Sequence, residues 1–284
     1  LLELRNVSFA YHHGTPVVRN VSLELERGSR LAVIGENGSG KTTLAHLMCG
    51  LLKPAEGQVL VDGASTQDPD SIHDIRRRVG IVFQDPDDQL VETTVDREIG
   101  FGLRNLGLDP GEVGSRVDMA LGLFGIEHLR RRPCHLLSAG EKQTVTVASV
   151  FAMQPDYLVL DESTSLLDRD ARLRLVAAVE RLLAETGAGL IFISMRLEDV
   201  WLCDKVLFLK AGAVAFEGDK GGLPGWLRDQ GLPLTGLSLL LSRVDGVLQD
   251  FAGRVASSRV LSAESFSDAL TPPTDNRKGG VVWP

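Results

Sequence analysis

From Leu31 the chain reads Leu-Ala-Val-Ile without alternation, then passes directly into Gly35-Glu36-Asn37-Gly38-Ser39-Gly40-Lys41-Thr42 and a helix-forming stretch from Thr42 to Leu52. A strand that is apolar on both faces must be covered on both, so it belongs inside a mostly parallel sheet flanked by helices. The loop fits the pattern G-x-x-x-x-G-K-[ST] and stands between a buried strand and a helix, where that pattern binds phosphate. Its glycines let successive N–H groups and the helix N-terminus face an anion. Lys41 then reaches the terminal phosphate oxygens and the Thr42 hydroxyl reaches Mg2+, with Thr43 next in the same turn.

Further runs of this kind, Val79 to Phe83, Tyr157 to Leu160, Leu190 to Ile193 and Val206 to Leu209, alternate with helical stretches. They make the fold class α/β with a mostly parallel sheet core. Leu2 to Tyr11 and Val17 to Glu26 alternate partially around a turn at Gly14, which reads as an antiparallel β layer. Between Thr94 and Ala152 helical periodicity breaks near Gly107, Pro110 and Pro133. That pattern suits an inserted helical subdomain, about 92–152, within a domain spanning 1–220. Residues 221–284 read as a small C-terminal extension with an amphipathic piece at Leu237 to Val244, and the end from Thr271 is expected to be mobile.

A second motif supports the first. Tyr157-Leu158-Val159-Leu160-Asp161-Glu162 is an apolar strand ending in two carboxylates. Such an end places one acid, Asp161, on Mg2+ and leaves the next, Glu162, to orient or deprotonate an attacking water. The bland alternative is that the two acids cap the following helix.

Composition narrows the partners. Lys and Arg total 30 against 38 Asp and Glu, a net charge of −8, which argues against binding to nucleic acid or to an anionic lipid surface. Phosphate must be held locally, by the loop. Cys49, Cys134 and Cys203 lie far apart and are odd in number, as in a reducing, cytosolic compartment without a disulfide framework. No apolar run approaches the roughly 18 residues of a membrane span, so work at a membrane would need another chain to cross it. Leu1 is not Met and no signal-type segment follows, as in a piece of a longer reading frame, and fusion to a further domain stays open.

With these motifs the chain resembles the nucleotide-binding subunits of ATP-binding cassette (ABC) transporters over roughly Leu2 to Gly218. Leu137-Ser138-Ala139-Gly140-Glu141-Lys142-Gln143 resembles the family signature LSGGQ, Gln84 stands at the Q-loop position, and Ser165-Leu166-Leu167-Asp168 resembles the D-loop. Tyr11 matches the aromatic that stacks on adenine. The resemblance implies a P-loop ATPase with ATP and Mg2+ as cofactors, in which Gln84 joins Thr42 and Asp161 near the metal. It also implies a dimer, with Ser138, Gly140 and Glu141 of one subunit closing over the ATP held by the other. A helix end capped by Ser138 is the structural reading of the same residues, and it is compatible with an anion site.

Phe83-Gln84-Asp85-Pro86-Asp87-Asp88-Gln89-Leu90, Thr93-Thr94-Val95, Ile99-Gly100-Phe101-Gly102 and the tail segment Gly231-Leu232-Pro233-Leu234 are similar to energy-coupling factor (ECF) importers of vitamins and metal ions, including the cobalt-type ATPases. That subgroup implies a second ABC ATPase subunit, identical or paralogous, a transmembrane coupling protein and a small substrate-capturing membrane protein. The chain would sit peripherally on the cytoplasmic side of the cell membrane, with the segment after Gln84 receiving the coupling helices.

The pattern breaks after Leu190 to Ile193. The family places a histidine there, but this chain reads Ile193-Ser194-Met195-Arg196, and a thioether donates no hydrogen bond. Ala139, Glu141, Thr144 and Ser163 are smaller departures. The alternatives are therefore a hydrolysing motor subunit, slowed at its own site by Met195, and a largely regulatory cassette that lends its signature to a partner. A soluble ABC ATPase outside transport is a third reading. It usually needs tandem cassettes or long coiled coils, which this sequence lacks. A small-molecule kinase would leave the LSAGE segment unexplained.

Overall fold

The computed structural model describes residues 1–11, 14–194, 200 and 202–230. These fall within a unit spanning Leu1–Leu232; Pro233–Pro284 form a second unit outside the description. The expectations for Met195, Arg196, Gly231 to Leu234, Leu237 to Val244 and the end from Thr271 lie outside the described residues.

Two sheets carry the fold. The larger has the order β10-β9-β3-β8-β7-β6. In it β3 (Arg30–Gly35), β6 (Val79–Val82), β7 (Tyr157–Asp161), β8 (Gly189–Ile193) and β9 (Lys205–Lys210) run parallel, and β10 (Ala213–Asp219) closes the edge antiparallel to β9. Every residue of β7 and β8 is buried, as unbroken apolar runs require. Because β3, β7 and β8 are parallel, with Val33 opposite Ile193 and Asp161 also opposite Ile193, the ends of β3 and β7 open on the same side of the sheet. Ligands of such sheets gather at that side.

The smaller sheet is the expected antiparallel layer, β1 (Leu2–Phe9) against β2 (Val18–Leu25), completed by β4 (Glu56–Val61) and β5 (Ala64–Ser65). Leu2 and Leu4 of β1, Leu23 and Leu25 of β2, and Val59 and Val61 of β4 meet Leu44, Leu47 and Met48 of helix α1 (Lys41–Met48) in one core cluster that also holds Val33 and Ile191 of the large sheet. Leu44, Leu47 and Met48 are fully buried. Each such side chain contributes about 1.5–3 kcal/mol, so the helix behind the phosphate loop is fixed between both sheets.

After α2 (Ile72–Arg78) and β6 come three helices, α3 (Val95–Asn105), α4 (Pro110–Phe124) and α5 (Ala139–Ala152), which pack on one another, with Phe124 edge-on to Phe151 at 5.6 Å. Asp109 caps α4 through the N–H groups of Gly111 and Glu112, and Pro110 occupies its first turn. α6 (Arg169–Thr186) starts at Asp168, whose carboxylate accepts from the Ala171 N–H. α7 (Leu223–Asp229) lies on β10, with Trp226 centred 5.0 Å from Phe208 and 5.4 Å from Phe216.

Candidate active site

The loop between β3 and α1 works because of what glycine permits. Gly40 has φ +100°, and a Cβ on it would stand 2.6 Å from the Val17 carbonyl oxygen. Gly212, in the β9–β10 turn, has φ +85° and would meet the same oxygen at 2.5 Å. The turn tightens further where the Ser39 N–H donates to the Glu36 carbonyl at 3.1 Å. Ser39 is buried, and its hydroxyl lacks a partner among the described residues. Asn37 and Gly38 are exposed at the crest.

Lys41 is buried and curls back over the loop, donating to the carbonyls of Gly35 and Glu36 at 3.0 Å each. Its Nζ stands 4.0 Å from Glu162 Oε1. Burial lowers the ammonium's pKa, and the carboxylates of Glu162 and Asp161 oppose that without reversing it. A buried cation with flexible donors to backbone oxygens is prepared to exchange them for an incoming anion.

At the end of β7, Asp161 is 1% exposed, and neither carboxylate oxygen has a hydrogen-bond partner among the described residues. Burial pushes its carboxyl up to about 6; the Thr42 hydroxyl pulls the other way without completing a well-directed hydrogen bond, Glu162 adds to the rise, and Lys41 subtracts from it. A buried, unsatisfied carboxylate beside a threonine hydroxyl is the donor set that a hard divalent cation completes. The site fits Mg2+.

Glu162 sits at φ +47°, a left-handed conformation unusual for a glutamate, with its N–H donating to the Ile193 carbonyl at 2.9 Å. Its other oxygen, Oε2, accepts from Gln84 Nε2 at 3.1 Å. So Lys41, Gln84, Asp161, Glu162 and Thr42, read from three separate stretches, converge at one end of the sheet. Tyr11 joins them through α1: half exposed, it stands edge-on to Phe9 at 4.9 Å, and its hydroxyl lies 3.3 Å from Thr43 Oγ1.

Ser138, Gly140 and Glu141 belong to a different place, the N-terminus of α5. Ser138 is its N-cap, accepting from the Glu141 N–H at 3.3 Å, while Glu141 Oε2 accepts from the Ser138 N–H at 2.7 Å. This capping box accommodates the glutamate where the family signature has glutamine, since either side chain offers an oxygen to the Ser138 N–H. Arg132 adds a contact to Glu141 at 3.2 Å and one to the Leu136 carbonyl at 3.0 Å. Gly140 faces the Leu166 carbonyl, which would stand 3.4 Å from a Cβ there.

Two further residues brace the segment around Gln84 and the entry to α3. Glu98, 3% exposed, accepts the N–H groups of Val91 at 3.0 Å and Glu92 at 2.7 Å, pinning the segment that leads into α3. Gln89 braces the end of β6, accepting from the Phe83 N–H at 3.1 Å and donating to the Ile81 carbonyl at 3.2 Å. Its place in the PDDQ stretch was a signal; nothing in the spacing pointed to Glu98.

Residues 18–165 match the family described as ABC transporter. The chain belongs to the ABC transporter family. It is 39% identical over 254 residues to the cobalt import ATP-binding protein CbiO of Syntrophus aciditrophicus, covering 86% of this chain and 88% of that protein. It is 39% identical over 270 residues to the energy-coupling factor transporter ATP-binding protein EcfA of Methanosarcina acetivorans, covering 95% and 97%. Among solved structures, CbiO1 of Clostridium perfringens, part of the transporter complex CbiONQ, superposes with a TM-score of 0.71 at 33% identity over 85% of this chain and 98% of that one. A dimeric ATP-binding cassette in a post-hydrolysis state with ADP and Pi superposes with a TM-score of 0.72 at 25% identity over 78% and 99%. The chain is thus an ABC ATPase of the energy-coupling factor type. ABC ATPases bind ATP and typically Mg2+. No helix among the described residues is long and apolar enough to cross a membrane.

Proposed function

We propose that this cassette holds Mg-ATP at the convergence of Lys41, Gln84, Asp161 and Glu162 and couples its hydrolysis to the import of a vitamin or metal ion. In this reading the backbone of Gly35, Glu36, Asn37, Gly38, Ser39 and Gly40 surrounds the β- and γ-phosphates, with Lys41 giving up the Gly35 and Glu36 carbonyls for phosphate oxygens. Thr42, Thr43 and the Ser39 hydroxyl complete the cradle, and Tyr11 covers the adenine. Thr42, Asp161 and Gln84 hold Mg2+, which when bound neutralises phosphate charge. Glu162, released by Gln84, orients the attacking water and accepts its proton. The observation that carries the proposal is Asp161: a chain does not keep both oxygens of a buried carboxylate unsatisfied without a ligand to fill them.

Ser138, Gly140 and Glu141 would meet the γ-phosphate of a second cassette, identical or paralogous, so that ATP joins two subunits and hydrolysis releases them. A transmembrane coupling protein and a small substrate-capturing membrane protein complete the importer, and the cassette lies peripherally on the cytoplasmic side. Calorimetry with ATP and Mg2+ tests the site. Native chain should bind tightly, Lys41→Ala should lose most of the affinity, and equal affinity in both would refute the assignment.

A further inference from the structure

Gln84 is gripped on both sides by one turn of α5. Immediately before it, the Phe83 carbonyl accepts from Gln143 Nε2 at 3.3 Å, while the Phe83 ring stands edge-on to His46 of α1 at 5.6 Å. Immediately after it, Asp85 caps the short turn Pro86–Asp88 by accepting the Asp87 N–H at 2.9 Å. Asp87 in turn pairs with Lys142 Nζ at 2.5 Å. The Lys142 side chain is only 17% exposed, and Gln143 is fully buried, so both anchors come from the settled side of the helix. Lys142 and Gln143 are consecutive, and the helix they belong to begins at the Ser138 cap less than two turns away. A helix is stiff over that length. Residues 83–87 and Ser138 are therefore joined through one short helical segment.

We propose that Lys142, acting through Asp87, is a positioning residue that couples occupancy of this chain's phosphate-loop site to the orientation of its own signature end. The inference rests on the proposed roles of Gln84 toward Mg-ATP and of Ser138 toward a second cassette. In the ligand-free arrangement Gln84 is held by Glu162; when it leaves that carboxylate for the nucleotide, the turn carrying Asp87 follows, and the ion pair draws α5 with it. Without the pair the Gln143 contact and the packing of the turn on α5 remain, but the charged link is lost and the phosphate-loop and signature ends lose register while each stays intact.

The test uses the full chain, alone for ATP calorimetry and in its purified transporter complex for steady-state hydrolysis. Lys142→Met and Asp87→Asn should each leave ATP affinity within twofold of native and lower kcat by about two- to fivefold, the range of a single ion pair. The exchanged pair, Asp87→Lys with Lys142→Asp, and the conservative Lys142→Arg should recover most of the loss. Native kcat in both single variants overturns the inference. So does a loss that neither the exchange nor Lys142→Arg restores, or a fall in affinity matching the fall in kcat, because the pair would then serve the phosphate loop alone. Failure of the underlying site assignment shows separately, as ATP affinity that survives Lys41→Ala.

Discussion

The two ends of this molecule proposed to face nucleotide are built on opposite principles. The phosphate-loop end is left incomplete: among the described residues the buried Asp161 oxygens and Ser39 hydroxyl have no hydrogen-bond partner, Lys41 is desolvated, and Glu162 holds a left-handed backbone. The signature end is complete in itself, with Ser138 and Glu141 satisfying each other and Arg132 neutralising the carboxylate. An incomplete site gains stability when its ligand arrives; a complete one has only a helix dipole and a hydroxyl to offer. On the proposed roles the difference implies an order of events, in which the phosphate loop fills first and the signature end joins afterwards.

The largest effect should come from Glu162→Gln, which keeps a partner for Gln84 but removes the proton acceptor. Single-turnover hydrolysis should fall about 100- to 10,000-fold while ATP binding persists. Retention of native turnover would move the chemistry elsewhere and dissolve the contrast between the ends. Next, Met195→His should accelerate hydrolysis at this chain's own site by up to about a hundredfold, by restoring a donor to the transferring phosphoryl group. A histidine variant no faster than native, together with complete loss of hydrolysis in Glu162→Gln, would mean the site is already competent and that the regulatory alternative is wrong. Lys41→Ala should weaken ATP binding by about 10- to 150-fold, the worth of one charge-assisted contact, as calorimetry would record.

Smaller effects separate the ends by stability alone. Asp161→Asn should stabilise the ligand-free protein by about 1–2 kcal/mol at pH 7, because burial opposes the charged form there. The sign follows from the raised carboxyl, about 6 in the fold against 3.8 ordinarily: the penalty is full above 6 and fades as pH falls toward 4. Melting curves of the two proteins should therefore converge on acidification, and Mg-ATP should stabilise only the native one. Ser138→Ala should do the reverse, destabilising by about 0.5–2 kcal/mol through loss of a cap, with no dependence on nucleotide in the isolated chain. A cap loss that instead tracked Mg-ATP would show that the signature end is not self-sufficient.

Legibility in the sequence follows burial. β3, β7, β8 and β9 announce themselves because both faces are covered, leaving apolar runs that nothing else explains. β4 and β10 do not: half of β4, from Glu56 to Gln58, is exposed, and β10 has no fully buried residue, so neither shows a clean pattern. The phosphate loop and the acids of β7 are contiguous words and could be read directly. The bond from Gln84 to Glu162 spans 78 residues and the pair of Lys142 with Asp87 spans 55, and only the folded topology brings such groups together. Glu141 shows a third case, a departure from the signature whose meaning lay three residues back, in the N–H of Ser138.

One contact has an evolutionary consequence. The Val17 carbonyl is wedged against both Gly40 and Gly212, and β2, which begins at Val18, pairs with β1, the strand that leads into Tyr11. The spacing between the aromatic proposed for the base and the loop proposed for the phosphates is thus a packing constant, set by two missing methyl groups, one within the phosphate loop and one outside every motif. An alanine at either glycine would act as a shim, lengthening the ruler against which a nucleotide is measured. Drift at Gly212 would disturb that spacing while leaving every recognised motif unchanged.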